Sequence, residues 1–97
     1  MVPLSPGTER RVRAVFAPAL WVEVARLLAE ECGDNLPFCE TATPESAERI
    51  RYAVLKLSCG DPHECRRLVR EAQMDWRDVL MAAGFGEDVS AHLLWDP

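Results

Sequence analysis

The chain has 97 residues, enough for one domain with a single modest core, and its 48% apolar and 28% charged content is that of a soluble globular protein rather than a disordered one. Sixteen acids against eleven bases leave a formal charge of −5, which disfavours a general binder of phosphate backbones. No apolar run approaches the roughly 18 residues of a membrane span, and the opening MVPLSPGTERR lacks the apolar stretch of a secretory leader, so the expectation is a cytoplasmic protein without membrane association.

Residues 1–7 carry two of the seven prolines and a glycine, and are expected to form a loose N-terminal arm ahead of a single helical domain over 8–97. Thr8 is the expected N-cap of a first short helix, TERRVRAVF, in which Val12, Val15 and Phe16 recur at helical spacing. Pro18 disfavours helical geometry at Ala17, so a break is expected there, followed by a second helix to about Glu31. Leu20, Trp21, Val24, Leu27 and Leu28 make its apolar stripe. DNLPFCETAT is the long connection, with Leu36, Phe38 and Cys39 as anchors over the core.

Thr43-Pro44 opens a third helix as N-cap and first helical residue, with Ala47, Ile50, Ala53, Val54 and Leu57 facing inward. Gly60 ends it, and Asp61-Pro62 starts another helix at once, Asp61 and Glu64 having the spacing of a capping box. Asp75 restarts the chain after Met74, giving a separate helix with Trp76, Val79, Leu80 and Ala83 on its stripe. A last helix from about Glu87 carries Val89, Leu93 and Trp95. No segment alternates with period two, so strands are unsupported. The expected fold is all-α, a compact bundle of five or six short helices with orthogonal or irregular packing, organised around residues 61–95.

Ten of the eleven bases are arginines, whose planar forks favour oriented ion pairs over point charges, for use in tertiary contacts or by a partner. Arg66, Arg67 and Arg70 form a basic patch flanked by Glu64 and Glu71, which reads as a solvated helix face. A helix-turn-helix is disfavoured because VLMAAGFG offers almost nothing to base edges, while Asp75 and Asp78 would repel phosphates. A nucleic-acid-associated regulator is therefore the weakest of the functional readings.

Four cysteines in a reducing compartment are expected to be thiols. Cys32, Cys39, Cys59 and Cys65, with His63, supply enough donors for a metal or thiol-redox site. Their intervals, six residues between Cys32 and Cys39 and five between Cys59 and Cys65, exceed the two to four that aim a pair at one zinc ion. Buried structural thiols are the preferred reading, and no metal or other cofactor is expected. Cys65 with His63 lacks a residue to orient the imidazole as a base, and Asp61, Glu64, Asp75 and Asp78 are accounted for as helix-start acids, so no catalytic residue is assigned.

The segments ERIRYAVLKLS, the following GD, and DWRDVLMAAGFGEDVSAHLLW, together with RRVRAVF and ECGDNLP upstream, resemble a group of small uncharacterised bacterial helical proteins. The stretch from DWRD to AGF is the most specific part. The resemblance implies a bacterial, cytoplasmic, helical protein and transfers no activity, partner or site residue; Cys65 lies outside the shared pattern.

These observations lead to a small non-enzymatic protein–protein interaction module, acting on a protein partner or as a homodimer, with the metal-binding or thiol-redox reading as the alternative. Trp95 and His92 on the last helix, and Arg66, Arg67 and Arg70, are the candidate contact residues. Trp95, beside the chain end, is the expected exposed apolar residue.

Overall fold

The computed structural model describes residues 3–33, 36 and 43–97, and among these every regular element is helical. Four α-helices, α1 (Pro6–Val15), α2 (Trp21–Glu31), α3 (Pro44–Ser58) and α4 (Pro62–Ala83), are accompanied by 3₁₀ turns at Pro18–Leu20 and Ala91–Leu94. The all-α class stands, with four helices in place of the expected five or six. At Asp75 the backbone is extended (φ −153°, ψ 95°) and its Oδ1 accepts from the Arg77 amide at 3.1 Å, so α4 is two helical segments joined across a kink at the expected restart, while the segment after Glu87 closes into a single 3₁₀ turn in place of the expected last helix.

α1 starts earlier than its sequence signals indicate. Ser5, not Thr8, is the N-cap: its Oγ accepts from the Thr8 amide at 3.1 Å, and Pro6 occupies the first turn, where its missing N–H costs nothing. Thr8 is fully buried. The described part of the expected loose arm is fastened at two points, because Ser5 Oγ donates to Glu48 at 2.9 Å and the Pro3 carbonyl accepts from Arg51 at 3.0 Å. At the other end Pro18 holds Ala17 extended (ψ 148°), and the Trp21 indole N–H donates to the Phe16 carbonyl at 2.8 Å, satisfying a group that α1 leaves open.

α3 is the centre of the molecule, a place the sequence reading assigned to residues 61–95. Thr43 and Ser46 form a reciprocal capping box at its start, each side chain accepting from the other's backbone amide. Beyond the expected stripe, Arg51, Tyr52 and Leu55 are also buried, so this helix is enclosed nearly all round in its middle turns. It packs most extensively on α4, and also on α1 and the Ala91–Leu94 turn. Phe38 and Cys39 lie outside the described residues; Leu36 is buried in the core.

Cys59 (φ 51°) and Gly60 (φ 83°) reverse the chain in left-handed geometry, and Asp61 then caps α4 by accepting from the amides of His63 and Glu64. The expected capping box is only half formed. Glu64 turns to Arg67 at 2.7 Å, and the Asp61 amide donates to the Ser58 carbonyl instead. Gly84 (φ 83°) ends α4, with Phe85 N–H returning to the Leu80 carbonyl at 2.8 Å as in a Schellman closure.

Candidate interaction site

From Ala83 onward the chain has little regular structure, and basic side chains hold its backbone to the helices. Lys56 Nζ donates to the Ala83 carbonyl at 2.7 Å. Arg49 Nη2 donates to the carbonyl of Phe85, and more distantly to that of Asp88. Arg11 grips the Trp95 carbonyl with Nε at 3.1 Å and Nη2 at 2.9 Å, and Arg10 pairs with Asp96 at 2.7 Å. Forked donors on carbonyl oxygens are the use to which this arginine-rich composition is put here.

Arg11 also joins a buried polar chain. Its Nη1 donates to Tyr52 Oη at 3.1 Å, and that hydroxyl donates to Glu48 Oε1 at 2.7 Å, which in turn receives Ser5 Oγ. Burial, then the Glu48 carboxylate, push the Tyr52 phenol above its ordinary range, so it stays a donor. The guanidinium of Arg11 lies 4.1 Å from the centre of the Tyr52 ring. None of Arg11, Arg49, Tyr52 or Glu48 stood out as a site residue in the sequence. Arg11 and Tyr52 occupy helix positions whose burial depends on what the chain end covers.

His92 is the side chain that the Ala91–Leu94 turn sends inward. It is 6% exposed, 5.2 Å edge-on to Tyr52 and 6.3 Å from Phe85, and its Nδ1 has no hydrogen-bond partner. Desolvation lowers its basicity, Glu48 raises it, Arg49 and Arg11 lower it further, and a hydrogen bond to the Val89 backbone raises it, with a net shift downward. Trp95 is half-buried, with its ring edge-on to Tyr52 at 6.3 Å. It covers the core where an exposed anchor was expected. Among the exposed apolar side chains, Val89, Leu93 and Leu94 lie on the same segment as Trp95, at 57% to 88% exposure, and Met81 is on α4 at 71%; Val22 and Met74 are exposed elsewhere.

Two hollows lie beside these residues. One, of ≈ 390 Å³, is lined by residues including Glu45, Glu48, Arg49, Val89, His92 and Leu93. The other, of ≈ 270 Å³, is lined by Arg49, Trp76, Arg77, Leu80, Met81 and Gly86. Arg49 borders both.

The other candidates are dispersed. Arg66 pairs with Glu23, and Arg67 pairs with Glu64 at 2.7 Å and Glu71 at 2.9 Å, while Arg70 is exposed. Cys32 and Cys65 are in the core, and burial pushes each thiol up to about 12, so both are protonated near neutrality and poor as nucleophiles or ligands. Cys59 and His63 are on the surface, and Cys39 lies outside the described residues. Among the described residues no three His, Cys, Asp or Glu side chains gather closely enough to hold a metal ion, and no helix is long and apolar enough to cross a membrane. The chain matches no known family profile, no curated protein and no solved structure.

Proposed function

We propose that this protein is a small, non-enzymatic, cytoplasmic interaction module that pairs with a second copy of itself through the face centred on Arg49. The observation that carries the reading is the set of exposed apolar side chains, Met81, Val89, Leu93 and Leu94, beside two hollows that share one arginine. Contiguous apolar surface rimmed by charge marks a contact site. Both signs of charge occur around it, Arg49 and Arg77 against Glu45 and Glu48, which suits a two-fold interface in which each surface meets its own copy. The engagement of Arg66 and Arg67 by carboxylates supports a protein partner over a nucleic acid.

Light scattering on the purified chain tests this. The expected mass is twice that of the chain at micromolar concentration, returning to the single-chain mass in the Leu93→Glu, Leu94→Glu double variant. Neither leucine is buried, so both substitutions leave the core intact. A monomer at several hundred micromolar would overturn the reading.

A further inference from the structure

Val89, Leu93 and Leu94 sit on segment 84–97, whose one regular element is a four-residue 3₁₀ turn. The proposed contact face therefore depends on how firmly that segment is held down. Cationic side chains clasp carbonyl oxygens at 83, just before it, at 85 and more distantly 88, and at 95. Between them the side chain that enters the protein is His92.

The charged and titratable groups around this imidazole come from two helices and its own segment. α1 contributes Arg11; α3 contributes Glu45, Glu48, Arg49 and Tyr52; Asp88 lies four residues upstream. Arg11 and Arg49 each place a guanidinium near the ring and disfavour a charge on it. Glu48 is the acid that favours a charged imidazole, yet its Oε1 already accepts from Ser5 and Tyr52. Asp88 is occupied by the amide and hydroxyl of Ser90. The Tyr52 and Phe85 rings meet His92 at steep angles and offer no lone pair. A second ring proton would thus place an N–H on the shielded, unpartnered Nδ1, and a third positive charge beside Arg11 and Arg49, at the inner edge of the hollow that His92 lines.

We infer that His92 is an acid-sensitive latch: neutral, it seats the Ala91–Leu94 turn against Tyr52 and Phe85; protonated, it leaves, and the face carrying Val89, Leu93 and Leu94 comes apart. The loss of pairing rests on the function proposed above, whereas the unlatching does not. The sign follows from linkage. The folded chain binds this proton less readily than the unfolded chain, so the seated state is fully favoured above pH 6.5 and loses ground as pH falls through the lowered folded value.

Amide hydrogen exchange on the full chain at pH 7.5 and 5.0, corrected for intrinsic rates, reads the latch, with light scattering on the same samples. Protection of amides 91–95 is expected to fall about ten-fold between the two conditions while α3 amides hold theirs. The dimer is expected to become monomer in parallel. His92→Phe keeps an apolar ring and His92→Gln keeps a polar, non-titrating group; each that folds is expected to retain protection and mass at pH 5.0. Unchanged protection in the native chain, or the same loss in both variants, would overturn the latch. A chain that unlatches at pH 5.0 but is monomeric at pH 7.5 would sustain the latch and refute the self-pairing. Unlatching with an intact dimer would refute the coupling between them.

Discussion

Arg51 carries the strongest stability prediction. It is 1% exposed, in the middle of α3, with Nε donating to the carbonyls of Leu28 at 3.2 Å and Cys32 at 2.8 Å, and Nη1 donating to that of Pro3 at 3.0 Å. The first two oxygens belong to the last turn of α2, where carbonyls lack intrahelical partners, so a side chain from another helix does the work of a C-cap. Hydrogen bonds from a charged donor each contribute about 1.5–3 kcal/mol, a figure already net of the water contacts given up. Truncation to Ala removes these bonds, orphans the carbonyls at about 1–3 kcal/mol each, and leaves the space of the aliphatic stem empty. The expected loss is about 3–5 kcal/mol, a large part of the roughly 5–15 kcal/mol that a domain has. Urea unfolding followed by tryptophan fluorescence should show the midpoint falling by about 2 M with little change in slope, taking a slope near 2 kcal/mol per M. Arg51→Met separates the contributions, since it fills the stem volume and leaves the carbonyls unmet; it should still cost about 2 kcal/mol. A Met variant as stable as the native chain would refute the reasoning, because desolvation would then cancel the capping bonds.

Gly60 and Gly84 share φ of 83°, but an added Cβ at Gly60 would lie 2.8 Å from the Val15 carbonyl oxygen, whereas at Gly84 the nearest atom is Lys56 Nζ at 3.9 Å. Gly84→Ala should cost about 1–2 kcal/mol for left-handed geometry alone and Gly60→Ala about 2–4 kcal/mol, and equal thermal shifts would count against the steric difference. In a Cys39→Ser background at pH 8, an aromatic disulfide reagent should titrate one fast thiol, Cys59, with Cys32 and Cys65 reacting only after denaturant is added; two or three fast thiols would contradict their burial. Asp61→Ala should lower stability by about 1 kcal/mol through loss of the α4 cap, and Glu64→Gln should leave the urea midpoint in place because Glu64 faces Arg67 and solvent.

Helix starts built on local chemistry were legible in the sequence. Thr43-Pro44 and Asp61-Pro62 each set the first turn with a side-chain acceptor and a residue that lacks N–H, and both open a helix as read. Ser5-Pro6 has the same form and caps α1 in place of the expected Thr8, and Ser5 Oγ is also held by a long-range bond to Glu48, 43 residues away. The enclosure of α3 was hidden for a related reason. Periodicity reports one face of a helix, and Arg51 and Tyr52 are polar residues whose partners lie on α1, α2 and the chain end. A buried arginine reads in sequence as an exposed one.

The candidate site shows the same division more sharply. Its apolar residues follow from a local fact, that GFGEDVS cannot sustain a helix between Gly84 and the Ala91–Leu94 turn, so the side chains beyond it do not continue the α4 stripe. Its polar residues depend on where the chain end lies down. Once Arg11 and Arg49 hold the carbonyls of Trp95 and Phe85, His92 is brought against Tyr52, and Trp95 covers the same ring from the other contact. An apolar anchor at the last tryptophan would have made a permanently exposed hydrophobic end. The fold instead turns Trp95 inward and leaves Leu93 and Leu94 outward. Under the pairing and the latch proposed above, the residues that would meet a second copy are the ones that His92 would release on gaining a proton.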